Sequence, residues 1–153
     1  GEEGSVYVDN MQRLLRKFET AKSLVPAPVR KDAKVGTRHG VIFYGSTTVA
    51  MEEALAALEA QGLYLDTRRV RAFPFSDEVV DFINAHDQVF VVEQNRDAQL
   101  RSLIVNEFGI DPARLVPVLH YDGTPITARF IAGAIGQHMG AAALAPVGRD
   151  KVA

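Results

Sequence analysis

Apolar and polar positions along this chain follow two periods, and the switches between them outline an architecture. Val41, Ile42, Phe43 and Tyr44 form an unbroken apolar run that reads as a strand buried on both faces. The run reaches Gly45 and turns through Ser46-Thr47-Thr48. It resumes as Met51, Ala54, Leu55 and Leu58, spaced three and four apart like the stripe of an amphipathic helix. Four strand–helix cycles are predicted in this way. The first has a strand at about 40–44 and a helix at 47–61. The second has a strand at about 64–72, then Phe73-Pro74-Phe75 and a helix capped by Ser76, with Asp77 and Glu78 where the helix dipole favours negative charge. The third strand, at 88–92, leads into Glu93-Gln94-Asn95 and a helix carrying Leu100, Leu103, Ile104 and Phe108 that stops at Gly109. Asp111-Pro112 starts a short turn before the fourth strand, at about 115–119. Asp122-Gly123 then turns the chain, and Thr127 caps a last helix with Phe130, Ile131, Ala134, Ile135 and Met139.

Such alternation requires a mostly parallel sheet with right-handed crossovers and helices on both faces, a three-layer α/β/α fold. The first strand is the most uniformly apolar and is placed centrally. The second carries Asp66, Arg68, Arg69 and Arg71, which suits an exposed edge. The predicted strand order is 2-1-3-4. The chain reverses direction between strands one and three, and a crevice opens there at the carboxyl ends of the strands. Gly45-Ser46-Thr47-Thr48 and Glu93-Gln94-Asn95 are expected to line it.

Ahead of the cycles, residues 9–25 pattern as a helix with Leu14, Leu15, Phe18, Ala21 and Leu24 on one face and Asp9 or Asn10 as its cap. Pro26-Ala27-Pro28 ends it, and 29–38 reads as a polar linker. Lying outside the repeat, this helix is expected to pack against something upstream. The organisation is therefore a helix and linker over 1–38, an α/β domain over 39–139 and a flexible tail over 140–153. The chain does not open on methionine, which suggests a piece of a longer polypeptide, with Gly1-Glu2-Glu3-Gly4-Ser5 an added leader or the end of a preceding segment.

With 153 residues, 47% hydrophobic and 24% charged, the chain has the make-up of one globular domain that needs no covalent staple. The absence of cysteine excludes disulfides, cysteine-held iron–sulfur clusters and a cysteine nucleophile from this chain. A net charge of -2 gives no electrostatic reason to expect nucleic acid or an anionic membrane. No apolar run approaches the roughly 18 residues of a membrane span and no signal-peptide pattern opens the chain. A cytoplasmic location is expected.

Two clusters carry the candidate chemistry. Gly45, Ser46, Thr47 and Thr48 precede a helix, where unpaired amides and the positive end of the dipole can hold a phosphate or carboxylate; the plainer reading is a glycine turn with a hydroxyl cap. No GxGxxG and no P-loop lysine accompany them. Glu93, Gln94 and Asn95, with Gln99 one helical turn on, form the densest polar group. Glu93 can serve as an acid or base if burial raises its pKa. The sequence places no histidine or second carboxylate beside it, so an inter-domain contact is favoured over catalysis. Arg68, Arg69 and Arg71 read as the solvated face of an edge strand rather than a site for an acidic partner. The histidines, His39, His86, His120 and His138, fit neither a zinc site nor a triad and receive no catalytic role. His120, beside Tyr121 at a strand end, is expected on the crevice rim. Of Phe73 and Phe75, one ring is expected in the core and the other at an interface.

Taken in order, YGSTTVAMEEALAALEAQG, RAFPFS, VFVVEQNRDAQLRSLI and VLHYDGTPITARFI resemble one known arrangement. It is the transketolase C-terminal-like domain that ends the α subunit of 2-oxoacid:ferredoxin oxidoreductases, most of all those of 2-oxoglutarate type. The resemblance covers roughly residues 39–135, and QRLLRKFE in the preceding helix is similar to the segment entering that domain. It implies a parent enzyme that decarboxylates a 2-oxoacid on thiamine diphosphate, passes electrons through iron–sulfur clusters to ferredoxin and forms an acyl-CoA. It also implies partners: upstream thiamine-binding domains of the same chain, a β subunit, and ferredoxin through the complex. The family's magnesium motif is a GDG on the pyrophosphate side. This chain lacks it, and its one Asp-Gly step, Asp122-Gly123, is a turn. Thiamine diphosphate, magnesium, the clusters and CoA are thus expected on the parent enzyme, with no catalytic or metal-binding residue here. The implied role is a structural brace, with Gly45, Ser46, Thr47, Glu93, Gln94, Asn95 and Gln99 at the matching positions. The alternative is an independent flavodoxin-like domain holding phosphate or a nucleotide at 46–48. A docking module working through Phe73, Phe75 and the first helix, by self-association or with another partner, overlaps with the brace.

Overall fold

A computed structural model describes residues 3–140. The elements in order are α1 (Gly4–Leu24), β1 (Val29–Lys31), β2 (His39–Tyr44), α2 (Thr47–Glu59), β3 (Asp66–Val70), α3 (Asp77–Asn84), β4 (Gln88–Glu93), α4 (Gln99–Phe108), a 3-10 turn (Pro112–Arg114), β5 (Leu115–Leu119) and α5 (Ala128–His138). The tail expected over 140–153 lies outside the described residues, Gly140 apart.

The sheet has five strands in the order β1-β3-β2-β4-β5. Four are parallel and follow the predicted order 2-1-3-4. Central β2 and β4 are apolar over residues 41–43 and 89–92 because each strand feeds two cores. Val41, Phe43, Phe90 and Val92 meet Met51, Leu58, Ile131 and Ile135 of α2 and α5 on one face. Ile42, Val89 and Val91 meet Val79, Phe82, Ile83, Leu100 and Ile104 of α3 and α4 on the other. With successive side chains pointing to opposite faces, the middle of a strand covered on both sides has no polar position to spare.

The edge differs from the sequence reading. Val29–Lys31, expected within a linker, pairs antiparallel with β3 and covers it, setting Val29 against Arg69 and Lys31 against Thr67. Arg68, expected on a solvated face, is buried. Its Nη1 donates to Asp32 Oδ1 at 3.0 Å and to the Thr67 carbonyl at 2.7 Å, its Nε lies 3.2 Å from Glu78 Oε1, and its guanidinium stacks 4.5 Å over the Phe82 ring. Arg71 is exposed but engaged, donating twice to the Ala27 carbonyl. These charges tie the segment after α1 to the sheet.

Two caps also depart from expectation. Helix α1 begins at Gly4, so Asp9 and Asn10 lie inside it and cap nothing. Ser76 holds the N-cap position of α3 in extended backbone, yet its buried Oγ makes no hydrogen bond. Thr127 caps α5 as predicted, accepting from the Phe130 amide at 3.1 Å, and Gly109 ends α4 in the left-handed region its φ of 62° requires.

Candidate functional site

The reversal of chain direction between β2 and β4 brings the two predicted clusters together. Gly45 leaves β2 with φ 62°, a conformation that favours glycine, and lets the chain enter α2 at once. The Thr48 hydroxyl then donates to the Gly45 carbonyl at 2.7 Å. Ser46 lies in helical backbone and makes no cap; its hydroxyl and that of buried Thr47 point across the crevice. Gln94 meets them there, its Nε2 donating to Ser46 Oγ at 3.0 Å and to Thr47 Oγ1 at 3.2 Å. The amide of Gln94 is therefore a clasp between the ends of β2 and β4.

Glu93 turns the other way. It is wholly buried at the end of β4. Its Oε1 accepts from the Leu100 amide at 2.6 Å and from Asn95 Nδ2 at 3.0 Å, and its Oε2 accepts from the Arg101 amide at 3.1 Å. An unpaired carboxylate would be costly in such a place; this one satisfies two first-turn amides of α4 at the positive end of its dipole. Asn95 completes the arrangement, with Oδ1 accepting from the amides of Asp97 and Gln99. Ala98 takes a left-handed φ of 50° between them. Gln99 itself is exposed at the mouth of a neighbouring groove.

That groove, about 630 Å³, runs along the ends of β2 and β3 and is mostly apolar, with Tyr44, Val70, Phe73, Phe75, Leu100 and Leu103 in its walls. Phe75 is in the core and Phe73 is exposed, the division expected of the pair. Phe73 meets Phe18 of α1 on one side and Phe75 on the other, with centroids 6.2 and 5.2 Å apart.

The histidines lie apart from the crevice or face into the protein. His86 is buried between the Phe82 carbonyl at 2.7 Å and Asp66 Oδ2 at 2.9 Å. His39, at the opposite end of the sheet from the crevice, is held below its usual pKa by burial. His120, expected on the rim, is buried with its ring edge against Phe130, and its amide donates to the Glu93 carbonyl at 3.0 Å. Two arginines that the sequence reading passed over hold the helix ends. Arg114 donates to the carbonyls of Ile83 and His86 at the end of α3, and Arg101 to those of Pro112 and Leu115. A lone arginine in an otherwise apolar stretch was the available signal, but its target carbonyls are distant in sequence.

Neither a protein-family model nor a curated protein sequence matches this chain. Solved structures do. One is a 2-oxoglutarate:ferredoxin oxidoreductase from Magnetococcus marinus, solved with 2-oxoglutarate, coenzyme A and succinyl-CoA bound. It superposes with a TM-score of 0.78 at 20% identity, over 91% of this chain and 24% of that one. The chain has a transketolase C-terminal-like fold. A split-gene transketolase in an inactive β4 tetramer shares it at TM-score 0.57 and 21% identity, over 73% of this chain and 41% of that one. The chain thus spans less than half the length of either neighbour. Among its described residues, no helix is long and apolar enough to cross a membrane.

Proposed function

We propose that this chain is a non-catalytic bracing domain of the α subunit of a thiamine-diphosphate-dependent 2-oxoacid:ferredoxin oxidoreductase, of 2-oxoglutarate type. The parent enzyme oxidatively decarboxylates a 2-oxoacid to an acyl-CoA. The fold match to such an oxidoreductase over 91% of the chain supports the parent. The observation that carries the bracing role is the state of the crevice. Its one buried carboxylate, Glu93, is bound to the α4 amides, and Gln94 is bound to Ser46 and Thr47. These bonds position loops; they leave no acid–base pair aimed at a ligand.

The residues present offer no ligand set for the parent's iron–sulfur clusters or its metal ion. The chain has no cysteine for a cluster. Among the described residues no group of three histidines or carboxylates is placed to hold a metal ion. The Asp122 carboxylate, in the one Asp-Gly step, accepts from the amide and hydroxyl of Thr124. In this reading thiamine diphosphate, magnesium, the clusters and CoA are held by other domains and the β subunit, and ferredoxin meets the complex elsewhere. The contribution of this domain is to fix the position of thiamine-binding neighbours, where a displacement of about 1 Å can cost roughly a hundredfold in rate.

The test is a viologen-reduction assay with 2-oxoglutarate, CoA, thiamine diphosphate and Mg²⁺. The chain alone is expected to give no turnover. Sustained turnover by the chain alone would remove the proposal.

A further inference from the structure

We infer that Asp66 and His86 form a proton-dependent latch, closed when one proton lies between their side chains, that holds the segment after β1 against the sheet. Both residues are remote from the crevice: Asp66 opens β3 and His86 lies between α3 and the start of β4. His86 is 5% exposed. Each of its ring nitrogens faces an oxygen, Nδ1 at 2.7 Å from the Phe82 carbonyl and Nε2 at 2.9 Å from Asp66 Oδ2. A carbonyl oxygen only accepts, so Nδ1 must carry a proton. Nε2 then completes its contact only with a second proton, held on the ring as imidazolium or on the carboxyl group. Without it, two lone pairs oppose each other at a separation too short for a water. The Phe82 carbonyl belongs to the last turn of α3, where the helix dipole favours a positive ring.

The other oxygen of Asp66 carries the latch to the sheet edge. Oδ1 accepts from the Ala33 amide at 2.7 Å. Thr67 Oγ1 donates to the Lys31 carbonyl at 3.2 Å, and Arg68 Nη1 to Asp32 Oδ1. Three successive β3 side chains thus hold residues 31–33, and only that of Asp66 is joined to a group that titrates near neutrality. The His86 ring packs 4.4 Å from the Phe82 ring and is held by its Nδ1 bond. Loss of the shared proton therefore displaces the Asp66 carboxylate, and Ala33 with it.

Other charges face the pair. Arg114 donates to the His86 carbonyl at 2.6 Å, and Asp87, next in the chain, is paired with Arg38. Arg30, Asp32, Lys34, Arg68, Glu78 and Asp81 line the cleft beside it. Arg30 and Arg68 are paired with Asp32, Arg68 also with Glu78, and Lys34 with Glu59. Carboxylates and strong bases of this kind keep their charge between about pH 5 and pH 8. His39 of β2 lies within electrostatic reach of His86 and titrates too, so it is removed as a control.

The test is an NMR titration of the whole chain from about pH 5 to pH 9, following the His86 ring and the Ala33 amide. The Ala33 signal should move along the His86 titration curve. Amide exchange at Ala33, corrected for the intrinsic effect of pH, should rise by about 10-fold as the proton leaves, the loss of one hydrogen bond to a charged acceptor. Asp66→Asn offers Oδ1 to Ala33 and an N–H to an unprotonated Nε2, so the latch should stay closed and Ala33 should stop responding. His39→Gln should leave the response in place. An Ala33 amide indifferent to His86 in the native chain overturns the inference, as does an equal response in Asp66→Asn or a His86 ring that does not titrate over this range. No cofactor or neighbouring domain enters the experiment, so its outcome is independent of the oxidoreductase reading.

Discussion

The Glu93 carboxylate lies 2.6 Å from the Leu100 amide nitrogen, sealed inside the protein at the junction of β4 and α4. A residue seven positions upstream caps the helix, reaching back from the strand because Gln94 to Ala98 loop outward between them. The same carboxylate holds the Arg101 amide and the Asn95 side chain. Crevice shape therefore depends on one buried charge.

Replacing Glu93 with alanine should cost about 3 kcal/mol, because two helix amides and the Asn95 amide lose a charged acceptor with no water to replace it. Glu93→Gln keeps the shape and one acceptor oxygen and should cost roughly half as much. Urea titration of both variants checks the order; equal midpoints for Glu93→Ala and the native chain would contradict it.

Arg68 makes the edge a second point of leverage. It is buried between Asp32, Glu78 and the Phe82 ring. Arg68→Ala should destabilise by about 2 kcal/mol through lost packing against the Phe82 ring and the lost bonds to Asp32 and the Thr67 carbonyl, while Arg68→Met, which keeps the volume, should cost under about 1 kcal/mol. Amide exchange at Val29–Lys31 should accelerate more in the alanine variant than exchange in β4.

Gly40 has no room for a side chain. A Cβ there would lie 2.6 Å from Phe82 Cζ and 2.9 Å from Cε1. The ring is pinned, with Arg68 on its face and His86 beside it. Gly40→Ala is expected to cost about 1–3 kcal/mol by overpacking. A thermal midpoint unchanged from the native chain would show that the ring yields freely.

Burial lowers the pKa of His39 below its usual 6.5, with His138 and His86 adding to the shift and Asp87 opposing it. The folded state thus prefers the neutral ring, and the unfolded state binds the proton more tightly. No penalty exists well above pH 6.5; it grows as pH falls through that value and levels off below the folded pKa. His39→Gln should lose less stability than the native chain between about pH 7 and pH 5. Parallel pH profiles of the two midpoints would contradict this.

The parallel core was legible because its signals are local. An unbroken apolar run, a glycine at its end and a stripe at helical spacing place β2 and α2 without reference to anything distant. Leu115–Leu119 falls where the pattern puts it, and Thr127 caps where its position suggests. What escaped depends on contacts between distant residues. Three residues, Val29–Lys31, are too few to show a period, and only β3 makes them a strand. Arg68 reads as solvated until Asp32 and Phe82 close over it. Glu93 and Gln94 read as a polar cluster, but their spacing does not show that one turns inward to α4 while the other reaches across to Ser46.

The bracing account is tested most directly by calorimetric titration of the folded chain with thiamine diphosphate and Mg²⁺. Held entirely by absent neighbours, the cofactor should release no heat of binding at any ratio. Saturable uptake at one equivalent would mean that this chain holds the cofactor itself, which contradicts the bracing role.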